Sequence, residues 1–188
     1  MNKKLIPIQI ALLLAAGAAS TLTIPAQGIV ASGQITSTGS GPFNYGLTAS
    51  DSASATGPIG SFWFTWVPGQ FYLPTVPSST QAPVGWSASL VNNSIQFVAT
   101  STAFYIAPGA SLGGFGFTST DTPAAIAGNS PSQPGVPVGT TVAYGAGLFS
   151  SPSETFVFAS VVPEPSSMSL LLTAALGWLA ATRRKLRA

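Results

Sequence analysis

The sequence predicts an all-β body, a β-sandwich of the immunoglobulin-like or jelly-roll kind, between an N-terminal signal helix and a C-terminal transmembrane helix. Of the 188 residues, 20 are Gly and 16 are Pro, and 46% are hydrophobic. Between residues 28 and 160 Gly, Pro, Ser and Thr interrupt the chain too often for helices of ordinary length. Short runs that alternate apolar and polar residues occur there instead, whereas the long apolar runs lie at the two ends.

The first 27 residues have the layout of a secretory signal. Lys3 and Lys4 precede an apolar run over residues 5–19, and small residues follow around Pro25. A basic start, a short apolar stretch and a small-residue cleavage site are typical of such a signal. The apolar run is shorter than the roughly 20 residues of a permanent membrane span. We therefore expect signal peptidase to remove residues 1–27.

The strands of the body, residues 28–160, are predicted from period-two alternation. In residues 61–67, Phe62, Phe64 and Trp66 are expected on one face, and Trp63 and Val67 on the other. The further strands are predicted at residues 43–48, 86–91, 94–100, 102–106, 111–118, 141–149 and 155–161.

Turn residues connect these strands. Asn92-Asn93 predicts a two-residue hairpin, because Asn tolerates positive φ. Pro108-Gly109 predicts a turn, and the Pro-rich segment 121–139 predicts a long loop. About eight strands at this spacing favour a sandwich.

The composition of the body excludes several kinds of chemistry. The chain has no Cys and no His, which excludes Cys/His zinc sites, thiol catalysis, haem ligation and His-based triads. The acids of the body are Asp51, Asp121 and Glu154, and we expect the two aspartates to be solvated turn or cap residues. A glycosidase-like carboxylate pair and a calcium site are minor alternatives. We predict no enzyme activity, metal or cofactor.

Basic residues lie only at the two extremities of the chain. No Lys or Arg occurs between Leu5 and Thr182. A nucleic-acid-binding protein needs Lys and Arg along a face to displace counterions, so nucleic acid is not an expected partner.

The aromatic residues allow two interpretations: they fill the core of the body, or some of them form a sugar-binding surface. Every aromatic residue except Trp178 lies within residues 28–160, where the domain has little else with which to fill its core. Trp63, Trp66 and Trp86 are also candidates for stacking on sugar rings, which would make the body a lectin-like module. A purely structural matrix protein is a third reading, since its Ser- and Thr-rich surface would suit self-association through strand edges.

The final segment, residues 161–188, has three parts in a fixed order. Pro163-Glu164-Pro165 comes first, an uncharged apolar stretch follows over residues 166–182, and a basic cluster ends the chain in Arg183, Arg184, Lys185 and Arg187. Seventeen helical residues span roughly 26 Å, close to a hydrocarbon core of about 30 Å. Basic residues remain on the cytoplasmic side, so the charges at both chain ends predict that the body lies outside the membrane.

This order of parts resembles the PEP-CTERM sorting signal of exported bacterial proteins, whose tail is also known as the C-terminal domain of ice-binding proteins. The resemblance covers only the tail and transfers no activity to the body. It implies that an exosortase recognises the segment at residues 163–165 and removes the membrane helix. An ordinary single-pass anchor is the alternative.

These observations predict an exported protein of the cell envelope or extracellular matrix. We expect it to be membrane-bound before processing and then at the cell surface or outside the cell. Its expected role is structural or interactive, and carbohydrate binding is the alternative.

Overall fold

The computed structural model describes residues 28–67 and 70–160. Eleven strands lie within these ranges: β1 (Ala31–Thr38), β2 (Phe43–Asp51), β3 (Ser61–Phe64), β4 (Trp66–Val67), β5 (Gln70–Phe71), β6 (Ser79–Gln81), β7 (Trp86–Val91), β8 (Ser94–Ala99), β9 (Ser111–Ser119), β10 (Thr140–Tyr144) and β11 (Ser153–Ser160). The only described helices are short: a 3-10 helix at Thr102–Phe104 and α1 at Pro123–Ala127.

Nine of the described strands form one sheet in the order β6-β9-β2-β1-β11-β10-β3-β8-β7. The parallel pair β1–β11 is the exception in an otherwise antiparallel sheet. The sheet curves until its edge strands β6 and β7 approach each other, so it is nearly closed. β4 and β5 form a separate two-stranded hairpin. The prediction of an all-β body is confirmed.

Aromatic side chains from distant strands meet inside the curved sheet. Phe62 of β3 and Phe115 of β9 pack with ring centroids 4.9 Å apart, and Phe64 of β3 lies 5.4 Å from Phe117 of β9. Phe158 of β11 contacts both β3 rings. Burial of such rings is the main source of stability for a body without disulfides, at about 25 cal/mol per Å² of apolar surface.

Both predicted turns are present. Val91 pairs with Ser94 across Asn92-Asn93, and Asn92 has φ 55°, which matches the expected hairpin. Gly109 has φ +80° in the turn before β9, a conformation that glycine adopts without steric cost.

Other local predictions were wrong. The predicted strand at residues 102–106 is a 3-10 turn, in which Tyr105 N–H bonds the Thr102 carbonyl. The predicted strand at 141–149 ends at Tyr144, because Gly145 and Gly147 interrupt it. The predicted loop 121–139 contains α1, which Thr122 caps by accepting a hydrogen bond from Ala125 N–H.

Three strands were not predicted: β1, β5 and β6. β1 carries only Ile35 as a large apolar residue, and β5 and β6 are two and three residues long, so none of them shows a readable alternation.

The predicted signal peptide (1–27) and sorting segment, with its motif at 163–165, its transmembrane helix at 166–182 and its basic tail at 183–188, lie outside the described residues. Within the described residues, no helix has the length and apolarity needed to cross a membrane.

Candidate functional site

Strand β3 places aromatic side chains on both faces of the sheet. Phe62 and Phe64 are buried in the core, whereas Trp63 points to the outer face. Thr65, which follows the last residue of β3, has φ 59°, and this breaks the alternation of side chains between the two faces of the sheet. Trp66 consequently stacks on Trp63, with ring centroids 5.0 Å apart and planes 27° apart. The prediction that Trp66 shares a face with Phe62 and Phe64 was therefore wrong.

Phe149 completes this group from the loop between β10 and β11. Its ring meets Trp63 and Trp66 edge-on, at centroid distances of 5.5 and 5.8 Å, and lies 5.8 Å from Tyr144. We call these four residues (Trp63, Trp66, Tyr144 and Phe149) the outer aromatic cluster. Although Phe149 touches three aromatic rings, 65% of its surface is exposed.

The backbone of Phe149 is strained. Its φ of 65° is an outlier for a bulky side chain, and such residues cost on the order of 1–3 kcal/mol and concentrate at functional sites. Two hydrogen bonds fix the loop around it: Ala146 N–H donates to Ser150 Oγ at 2.9 Å, and Ser150 N–H donates to the Gly147 carbonyl at 3.1 Å. The strain holds an apolar ring in solvent above two indoles.

The polar atom of Trp63 is already occupied. Its Nε1–H donates to Ser94 Oγ at 2.8 Å, and Ser94 Oγ donates to the Val91 carbonyl at 2.7 Å. Trp63 is only 8% exposed, so the accessible part of the cluster is the surface of Trp66 and Phe149. This surface can form apolar and ring-stacking contacts.

Uncharged polar side chains flank the cluster across the sheet. Trp63 is paired with Gln96 of β8, which is paired in turn with Ser89 of β7. On the other side of β3, Trp63 is paired with Val142 of β10, and Val142 is paired with Thr155 of β11. Residues paired in this way lie on the same face, so Ser89, Gln96 and Thr155 form a neutral row with Trp63. Ser89 and Thr155 are exposed.

Trp86 does not belong to this cluster. It lies in the core at 7% exposure, where its ring is 5.0 Å from Phe115 and its Nε1–H donates to the Phe104 carbonyl at 2.9 Å. Of the three tryptophans predicted as sugar-stacking residues, the structure brings together Trp63 and Trp66. Sequence reasoning missed Phe149 because it extended β10 through it, although the glycines at 145 and 147 signalled the end of that strand; Tyr144 was correctly placed in the strand but was given no role.

The acids of the body are more buried than expected. Asp51 is 3% exposed and Asp121 is 8% exposed, so the expectation of solvated aspartates was wrong. Asp121 accepts hydrogen bonds from Thr75 N–H at 3.1 Å and Thr75 Oγ1–H at 2.9 Å. This explains why burying Asp121 is tolerated.

The two aspartates cannot act as one carboxylate pair. Asp51 ends β2, whereas Asp121 follows β9 at the end that pairs with Phe43, the first residue of β2. Eight residue steps along a strand separate these ends by roughly 27 Å, well beyond the 5–9 Å of glycosidase carboxylates.

Asp51 lies instead near Glu154 of β11. The carboxylates of Asp51 and Glu154 accept hydrogen bonds from consecutive amides, those of Val30 and Ala31, at 3.0 and 2.8 Å. Among the described residues, no group of three acids is placed to hold a metal ion.

No protein-family model, curated protein or solved structure matches this chain.

Proposed function

We propose that this chain is an exported envelope or matrix protein, sorted by its C-terminal segment and acting through binding or structural contacts. The observation that carries the proposal is the order of parts in the tail: Pro163-Glu164-Pro165, an apolar stretch and a basic cluster. A secretory-type N-terminus at the opposite end of the chain supports the same topology.

Two features of the body support this proposal: its charge, and the position at which the chain leaves its last strand. Its three charged residues are all acids, so it offers no basic surface to nucleic acid. The last strand, β11, ends in exposed residues at Ala159 and Ser160, and Pro163 follows three positions later in the sequence. An exosortase could therefore reach the motif without unfolding the sheet.

Replacing Pro163 and Pro165 by alanine is expected to abolish removal of the tail. The prolines favour an extended backbone, which a processing enzyme can bind, and alanines would permit helix instead. In a host that contains an exosortase, mass spectrometry should find a wild-type product ending near residues 163–165. The double variant should keep Arg187 and remain in the membrane fraction.

Ser169→Ala, within the apolar stretch, is the matched control and should be processed normally. A wild-type product that retains Arg187 would contradict the proposal and identify the tail as an ordinary single-pass anchor.

For the architecture we propose a flattened sandwich of the immunoglobulin-like or jelly-roll class between signal and transmembrane helices. The contacts between β3 and β9 rings support two opposed halves of the curved sheet.

A second candidate function is binding of an uncharged polysaccharide at the outer aromatic cluster. The observation that favours it is the strained, exposed Phe149 beside the Trp63–Trp66 stack. Sugar rings stack their C–H faces on aromatic rings, and the neighbouring hydroxyl and amide groups of Ser89, Gln96 and Thr155 could bond sugar hydroxyls. The absence of charged residues along this row suits a neutral rather than an anionic glycan.

We expect Trp66→Ala and Phe149→Ala each to weaken polysaccharide binding about five- to tenfold, because each removes one stacking surface of roughly 1 kcal/mol. Binding to a panel of neutral and acidic polysaccharides, measured by pull-down and calorimetry, tests this. Phe104→Ala removes an exposed phenyl ring elsewhere and serves as the control. If all three variants bound polysaccharide as tightly as the wild-type protein, only the structural role would remain.

A further inference from the structure

We infer that Val161 and Val162 extend β11 along the free end of strand β1, so that the folded body itself holds the sorting motif. β1 runs parallel to β11 with Ile35 paired to Ser160, the last described residue of β11, yet β1 continues to Thr38. Three residues of β1 therefore extend beyond β11 on this side, whereas β2 pairs with all three on the other side. What the pairing means for sorting rests on the proposed function.

The free main-chain groups at this end of β1 belong to Ser37. The carbonyl of Val30, directly before β1, accepts the Ser52 N–H, so even-numbered residues of β1 bond to β2 and odd-numbered residues face β11. In β11 the Phe158 N–H donates to the Gly139 carbonyl beside β10, so its odd-numbered residues face β1. The N–H and C=O of Ser37 consequently face the β11 side, where no described group bonds them.

Val161 has the groups that this pattern requires. Continued parallel pairing directs its N–H to the Ile35 carbonyl and its C=O to the Ser37 N–H. The next donor along the ladder would be residue 163, but Pro163 has no N–H. Pairing therefore ends where the sorting motif begins. Valine is also one of the residues most favoured in strands.

A cavity lies on the inner side of the position that Val162 would take. The buried side chains of β11 are even-numbered, so Val162, opposite Ser37, would face inward. The cavity has a volume of about 180 Å³, and the strand ends at Ser37 and Ser160 line it together with Tyr45 and Ile126. A valine side chain placed there would bury apolar surface against both of these residues.

The occupant that fits this site is the next segment of the chain itself. Ser160 lines the cavity and is joined directly to Val161, so the segment needs no linker to reach the free end of β1. This connection gives it a high effective concentration there, which a separate chain lacks. A strand from a second copy would first have to displace residues 161 and 162 from the end of β11.

The pairing would place the sorting motif in a narrow gap between the body and the membrane. Residues 163–165 alone would then separate the sheet from the apolar stretch that begins at residue 166. Three extended residues span about 10 Å. An exosortase would therefore bind the motif against the end of the body, and the backbone free of the sheet would start at Pro163.

Disulfide cross-linking tests the pairing, because the chain contains no cysteine. The continued register sets Thr36 opposite Val161 on the outer face, with Cα atoms about 4.8 Å apart and thus within disulfide range. The full-length Thr36→Cys/Val161→Cys protein, made in a host without an exosortase and kept in detergent, should form an intramolecular disulfide in most molecules under mild oxidation. Ser32→Cys/Val161→Cys is the matched control. Ser32 is exposed on the same face of β1 but about 13 Å further along, so its disulfide yield should be at least tenfold lower.

A variant on β1 distinguishes strand pairing from mere proximity of the two cysteines. Ser37→Pro in the Thr36→Cys/Val161→Cys protein should lower the disulfide yield at least fivefold, because it removes the N–H offered to residue 161 and no hydrogen bond to β2. Ser37→Ala keeps this N–H and should leave the yield unchanged. If the proline variant does not fold, hydrogen exchange decides: in the wild-type chain the Ser37 amide should exchange slowly.

Equal yields from the two cysteine pairs, disulfides only between separate copies, or rapid exchange of the Ser37 amide would overturn the inference. The sorting proposal fails by a different observation. A chain that forms the intramolecular disulfide but retains Arg187 in a host with an exosortase would contradict sorting and leave the pairing intact. Normal removal of the tail without the disulfide would do the reverse.

Discussion

Phe62→Ala is expected to lower the free energy of unfolding by about 3–5 kcal/mol, the usual cost of truncating a buried phenylalanine. Phe62 is completely buried and packs against Trp86, Phe97, Phe115 and Phe158. These rings come from four different strands, so the cavity would weaken contacts on several sides of the nearly closed sheet. Since domains are stable by only about 5–15 kcal/mol, such a loss is large.

The body has few other interactions that could compensate. No Lys, Arg or His occurs between Leu5 and Thr182, so the side chains of the described residues cannot form salt bridges with one another, and there are no cysteines to form disulfides. Urea denaturation followed by tryptophan fluorescence measures the effect. Phe104→Ala, at a 41% exposed phenylalanine, should cost about 1 kcal/mol or less. Equal losses for the two variants would show that the ring network is not the main source of stability.

The period-two pattern predicted much of this core but not the outer aromatic cluster. Alternation in residues 61–67 correctly separated Phe62 and Phe64 from Trp63, because side-chain direction in a strand follows sequence directly. It failed at Trp66, since a single positive φ at Thr65 breaks the alternation of side-chain direction and sets Trp66 beside Trp63. Such a φ is uncommon for a non-glycine residue and is imposed by tertiary packing, which a single sequence does not display.

Long-range pairing was equally hidden from local pattern. The parallel contact of β1 with β11 joins residues more than 120 positions apart, and β1 itself has almost no apolar alternation. The burial of Asp51 also depends on a long-range pairing that local sequence pattern does not reveal. Its position beside Ser52 indicated a solvated turn, yet the pairing of Asp51 with Ala31 buries it at the end of β2.

Asp51→Asn is expected to raise the stability of the body at neutral pH by on the order of 1 kcal/mol, because it removes a buried negative charge while the amide oxygen still accepts the Val30 N–H, and an unpartnered buried group costs more when it is charged. Asp51 Oδ1 accepts the Val30 N–H, but Oδ2 is buried and has no hydrogen-bond partner. Burial first, and the neighbouring Glu154 carboxylate second, raise the pKa of Asp51. No cationic side chain of the body can offset its charge.

The raised pKa fixes the sign of the pH dependence. Between the ordinary aspartate pKa, about 3.9, and the raised value, the folded protein binds more protons at Asp51 than the unfolded chain does. Stability due to this group is therefore complete below about pH 4 and is lost as the pH rises through the raised pKa. The Asn variant has no proton to lose at this position, so its stability should change less over the same pH range.

Urea denaturation of both proteins at several pH values between about 4 and 8 distinguishes this account from a simple packing effect. Asp121→Asn is the matched control, because both oxygens of Asp121 already accept hydrogen bonds from Thr75. That variant should gain no stability at neutral pH. If Asp51→Asn were destabilising at neutral pH, or if its stability followed the same pH profile as the wild type, Asp51 would have to be compensated in the folded protein. Its carboxylate would then carry its charge without cost at the end of β2.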